Sequence, residues 1–131
     1  MTDQEKEALA GAGAVMHLYF DRLNARDEAG IRERAFHFPH ARFHGNGITV
    51  LARPEDFKFE DFLGRSDNSG WHHSTWDYYE PIDVAPTKVH YRVSFSRWRA
   101  DGTRIGSFRS LYICILKDGR WGIQGRSSWA A

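Results

Sequence analysis

The sequence predicts an α+β fold: a curved antiparallel sheet wrapped around about three N-terminal helices, with residues 1–131 forming a single domain. Three observations lead there. Apolar residues recur at three- and four-residue steps near the N-terminus, and from about residue 72 the period drops to two. Two Asp-Gly pairs, Asp101-Gly102 and Asp118-Gly119, separate alternating runs, which is the strongest short-range hairpin signal. Helices followed by a strand meander is the order of an α+β fold rather than of a parallel α/β one.

Residues 5 to 25 read as the first helix, with Leu9, Ala12, Met16, Tyr19 and Leu23 on one apolar stripe. Asp27 is placed to cap a second helix carrying Ile31, Ala35 and Phe36, which Pro39 stops by holding Phe38 extended. A short strand pair is expected near 42–44 and 48–51, around Gly45-Asn46-Gly47. Pro54 opens a third short helix ending near Gly64, and the polar residues 65–70 form a loop. Strands follow at about 72–84, 88–99, 104–117 and 120–129.

Composition narrows the classes. A chain of 131 residues can build a core without disulfides or a structural metal. A formal net charge of +1 offers no global field for nucleic acid. The alternation Arg92, Phe95, Arg97, Trp98, Arg99 suits single-strand stacking only weakly beside Asp101. Arginine far outnumbers lysine, and planar guanidinium groups in strands favour carboxylates and subunit interfaces. Cys114 stands alone inside the apolar run Tyr112 to Leu116, as a core thiol would. The N-terminal stretch lacks the features of a secretory signal, and no apolar run approaches ~18 residues. The expectation is a cytoplasmic protein with no membrane or nucleic-acid partner.

Two-residue turns at both Asp-Gly pairs predict the register. Phe95 then faces Phe108, Val93 faces Ser110 and Tyr91 faces Tyr112. Across the second turn Leu116 faces Trp121, Cys114 faces Ile123, Tyr112 faces Gly125 and Ser110 faces Ser127. The face laid on the helices would carry Ser110, Gly125 and Ser127 at its centre, ringed by Phe95, Phe108, Tyr112 and Trp129. Small residues within an aromatic wall make a pocket floor; a helix side chain such as Phe20 would instead fill it. The opposite face bears Leu111, Ile113 and Ile115 among Arg92, Arg109 and Arg126, and a second copy of the chain is the economical cover. A three-residue loop bulged at Gly119 would exchange the faces and turn Arg109 into the pocket.

In the strand before the meander, the better apolar parity is Ser74, Trp76, Tyr78, Ile82 and Val84. It carries Glu80 and His72 inward as candidate general bases, with Tyr78 on the ligand side. No metal site is expected. His37, His40 and His44 straddle Pro39 without a joining acid or cysteine, and the neighbours His72 and His73 point to opposite faces. Gly11-Ala12-Gly13 follows no strand and is not a dinucleotide fingerprint.

The helix from Val15 to Asp27, the Phe38-Pro39-His40 stop and the ending Asp118-Gly119-Arg120-Trp121-Gly122-Ile123 resemble the nuclear transport factor 2-like superfamily, with its ketosteroid isomerase-like and polyketide-cyclase-like members. The resemblance spans essentially the whole chain and implies a cone-shaped sheet, an enclosed pocket and frequent dimerisation. It also implies that the isomerases' first-helix oxyanion donor falls on Tyr19 and their second donor on Tyr112. Their general base falls on Gly45, no carboxylate replaces it, and His44 is expected on the wrong face.

The resulting expectation is a homodimer paired through the outer sheet face, binding a small apolar ligand without cofactor. Phe95, Phe108, Ser110, Ser127, Trp129 and Tyr78 would line the site. As an enzyme it would be an isomerase or dehydratase using Tyr19, Tyr112 and Glu80 or His72. The alternative is a non-catalytic interaction or assembly domain, or an accessory subunit, with a filled cavity.

Overall fold

A computed structural model describes residues 1–65 and 68–129. Helix α1 (Asp3–Asn24) starts at a capping box: Thr2 Oγ1 accepts from the Glu5 amide at 3.1 Å, and the Glu5 carboxylate accepts from the Thr2 amide at 2.8 Å. It buries Ala8, Ala12, Val15, Met16, Tyr19, Phe20 and Leu23, a wider face than the expected stripe, with Leu9 at its margin. Asp27 caps α2 (Glu28–Gly30) by accepting from the Gly30 amide at 2.9 Å. The helix then widens into a π-helical turn, Ile31–Ala35. Phe36 therefore opens β1 (Phe36–His44) instead of closing the helix, and Pro39 lies within that strand.

Strand β2 (Gly47–Leu51) completes the first hairpin. A 3-10 turn at Pro54–Asp56 leads to α3 (Phe59–Leu63), which ends at Gly64. Of the expected loop at 65–70, Ser66 and Asp67 lie outside the described residues. Strands β3 (Trp71–Ala85), β4 (Lys88–Arg99), β5 (Arg104–Lys117) and β6 (Arg120–Ser128) form the meander. The sheet order is β2-β1-β6-β5-β4-β3, antiparallel except where β1 runs parallel to β6. The sequence pattern does not announce that parallel pair, which joins strands about 80 residues apart.

The helices and the inner face of the sheet share one core. Phe20 stacks on Trp76 with centroids 3.8 Å apart, and Phe95 meets both rings edge-on. Trp121 of β6 seats against Gly11, where a Cβ would collide with the indole, so Gly11 serves helix–sheet packing. Cys114 is fully buried, and burial pushes its thiol up to about 12. Among the described residues no helix is long and apolar enough to cross a membrane.

The turn at Asp101-Gly102 is a three-residue loop rather than the expected two, but the extra residue Ile105 offsets it. From Arg97–Gly106 outward the β4–β5 register is therefore the expected one, with Tyr91 opposite Tyr112, Val93 opposite Ser110 and Phe95 opposite Phe108. The β5–β6 register begins as expected with Leu116 opposite Trp121 and Cys114 opposite Ile123. It then slips. Gln124 is an extra residue, so Ile113 faces Gly125, Tyr112 faces Arg126 and Leu111 faces Ser127. Beyond the slip the two faces exchange, and Arg126 turns inward while Ser127 turns out. Bulges at His72, Asp77 and Ile82 do the same to β3. Tyr79 and Val84 pack inward, whereas Tyr78 lies opposite Ser94 and Glu80 opposite Arg92 on the outer face.

Candidate functional site

The interior beside Ser110 is filled by aromatic rings, and the open volume lies elsewhere. A cleft of about 240 Å³ opens between the β1–β2 hairpin, residues 56–65 and β6. Inward parity on β1 carries His40 and Arg42, and the slip in β6 brings Arg126 to lie directly beside Arg42. Thr49 and Leu51 come from β2. Phe36, Phe57 and Phe62 supply apolar walls. Four cationic side chains, Arg42, Lys58, Arg65 and Arg126, line the cleft against two carboxylates, Asp56 and Asp61.

Arg126 is held from beneath. Its Nη1 donates to the hydroxyl oxygens of Tyr19 at 3.1 Å and Tyr112 at 3.5 Å. Both phenols are almost fully buried, and burial pushes Tyr112 up to about 12. The phenols thus orient a guanidinium, and neither lines the cleft. The Arg65 guanidinium is pushed down to about 9, first by burial and then by Arg126 and Arg42. A guanidinium keeps its proton at neutral pH, so Arg65 is a desolvated cation that shares its surroundings with Arg126 and Arg42. His40 stacks on Phe36 with centroids 4.0 Å apart. Its Nδ1 lies 2.9 Å from the Ile123 carbonyl and therefore carries the proton. Burial, then Arg126 and Arg42, push His40 down to about 3, so the ring is neutral at ordinary pH.

Several expected site residues lie away from this cleft. Phe95 is in the core, and half-buried Phe108 stacks on it at 5.5 Å. Ser110 faces inward, but its Oγ is committed to the Ser127 carbonyl and the Ser128 hydroxyl, each at 2.7 Å. Ser127 is exposed on the outer face because of the slip, and Trp129 is 79 % exposed past the end of β6. Tyr78 is exposed on the outer face. Glu80 pairs with Arg92 at 2.8 Å on that same face, its inward placement undone by the Asp77 bulge. His72 is exposed, with its Nδ1 3.0 Å from that of His73. Arg109 is also exposed, opposite Ser94.

His44, contrary to expectation, shares the inner parity of His40 and Arg42, and its Nε2 bonds Thr49 Oγ1 at 2.8 Å. Among the described residues no three His, Cys, Asp or Glu side chains gather as a metal site. The residues that sequence reasoning missed are Arg42, Arg65 and Arg126. The one available signal was Gly122 and Gly125 within β6, since strand glycines mark bulges.

A family model described as NTF2-like protein (DUF6841) matches residues 6–128. Solved structures share the fold at low identity. A protein of unknown function with a cystatin-like fold from Nostoc punctiforme is 12 % identical, covering all of this chain and 94 % of its own, with a TM-score of 0.71. A candidate ketosteroid isomerase from Shewanella frigidimarina is 16 % identical, covering 90 % of this chain and 94 % of its own, at 0.68. An NTF2-like protein from Cytophaga hutchinsonii is 14 % identical over the full length of both chains, at 0.63. No protein of curated function matches.

Proposed function

Because the chain belongs to the NTF2-like family, we propose that it is a homodimeric small-molecule-binding domain whose ligand sits in the cleft between the β1–β2 hairpin, α3 and β6. The observation that carries this reading is the contrast within one interior. Phe20, Trp76 and Phe95 close the space beside β3 and β4, while Phe36, Leu51, Phe57 and Phe62 wall a cleft that stays open. Concave apolar walls with a few convergent polar groups are the usual form of a ligand site.

Binding is favoured over proton-transfer chemistry. A base useful near neutral pH should titrate there, and His40, the buried histidine of the cleft, is pushed down to about 3. Glu80 and His72 are on the surface, away from the cleft. Filling the cleft tests the reading: Leu51→Trp should abolish ligand-observed NMR saturation transfer from the protein to small uncharged aromatic probes. Equal transfer to wild type and variant would count against a site here.

The outer face supports the pairing. Phe43, Ile48 and Val50 are about half exposed or more, at 49 %, 64 % and 58 %, and they share one face with Leu111, Ile113 and Ile115. An apolar patch of this kind marks an interaction surface. Sedimentation should find a dimer at micromolar concentration and a monomer for Ile113→Asp. A wild-type monomer would leave the interface without support.

A further inference from the structure

The cleft has a chemical preference written into its charges. Among the described residues, neither Arg65 nor Arg126 forms an ion pair with a carboxylate, and Arg65 donates no side-chain hydrogen bond. Arg126 commits Nη1 to the two phenols, and its Nη2 donates to nothing within the described chain. Arg42 lies alongside Arg126 in the β1–β6 pair, so like charges are held close. Protein seldom gathers guanidinium groups around a half-buried space without an anion to meet them. Of the two carboxylates in the lining, Asp61 is exposed at the rim, and Asp56 accepts from the Arg53 amide at 3.0 Å. The space itself is small, about 240 Å³. Its other walls are phenylalanine rings.

We infer that the cleft selects a small monocarboxylate with an aromatic or short aliphatic body, the carboxylate taken by Arg65 and Arg126 and the body lying against Phe36, Phe57 and Phe62. This rests on the small-molecule reading above and names the ligand's class. A planar guanidinium offers paired donors that match a carboxylate's two oxygens. Phosphate would satisfy the same charges and leave the apolar walls unused.

Titration calorimetry with benzoate, benzamide and inorganic phosphate on the full-length wild type, Arg65→Met and Leu51→Trp tests the inference. Benzoate should bind at least ~10-fold more tightly than benzamide or phosphate, and its affinity should fall as salt rises. Arg65→Met should erase the preference, bringing benzoate down to the affinity of benzamide. Because wild-type salt dependence is read independently, a variant that fails to fold does not remove the test. Equal binding of benzoate and benzamide overturns the inference while the cleft survives as a ligand site. Preference for phosphate over benzoate overturns it in favour of an inorganic or phosphorylated anion. Binding of none of the probes to wild type overturns it, and binding that Leu51→Trp leaves unchanged overturns both the inference and the site.

Discussion

The two Asp-Gly hairpins share a turn sequence and end differently. Asp118-Gly119 closes as a two-residue turn with both residues at positive φ. Arg99 instead bonds Thr103 around a three-residue loop in which Gly102 has positive φ and Asp101 does not. In β4–β5 the extra residue, Ile105, sits beside the turn, and beyond it the pairing runs unbroken from Arg97–Gly106 to Lys88–Ile115. In β5–β6 it holds for four pairs and then admits Gln124 as an extra residue. The difference decides what the interior can do. Tyr91, in a stretch of unbroken pairing, meets only packing partners among the described residues. Tyr112, directly opposite it and shared with the slipped hairpin, meets an inward-turned arginine. One inserted residue has replaced a floor of glycine and serine by a guanidinium.

The largest expected effect comes from acid, acting where the slip is held. His40 donates to the carbonyl of Ile123, the residue just before Gln124. Its folded-state value, about 3, lies below the ordinary 6.5. The unfolded chain therefore binds the extra proton first as pH falls. The contribution of this histidine is complete above about 6.5 and is lost progressively between about 6.5 and 3, at up to ~1.4 kcal/mol per pH unit. Denaturant titrations over that range should show the slope, and His40→Phe should flatten it. Superimposable profiles for the two proteins would mean that the ring is not held neutral.

The other two effects are smaller and set the hairpins side by side. Tyr112→Phe removes a hydroxyl that accepts from Arg126 and should cost about 1 kcal/mol. Tyr91→Phe removes a hydroxyl that accepts and donates nothing among the described residues, and should change stability by no more than ~0.5 kcal/mol. Chevron or equilibrium denaturation distinguishes them. A larger loss for Tyr91→Phe than for Tyr112→Phe would reverse the comparison.

Local chemistry made much of the fold legible. The α1 stripe, the Asp27 cap and both Asp-Gly turns depend on neighbours a few residues away, and the meander strands fall within a few residues of their expected bounds. The bulges were not legible, because their causes are remote. At Gly125 a Cβ would come to 3.2 Å from the Ala41 carbonyl of β1, a strand about 80 residues earlier. Short-range pattern contains no trace of that neighbour. The helix after Asp27 was overextended for the same reason: Phe36 is drawn into pairing with Ile123. The candidate site inherits these misses, since it is built where β1 and β6 meet.

That meeting has a consequence for how the protein comes to exist. Strand β1 leaves the ribosome more than 80 residues before β6, so the β1–β2 hairpin must wait, with Phe36 and His40 uncovered, until β6 has been made. Contacts this distant along the chain slow folding. A nascent chain stalled before Arg120 would have its helices and three meander strands and nowhere to assemble the cleft, so the domain gains its fold and its binding capacity together as β6 emerges.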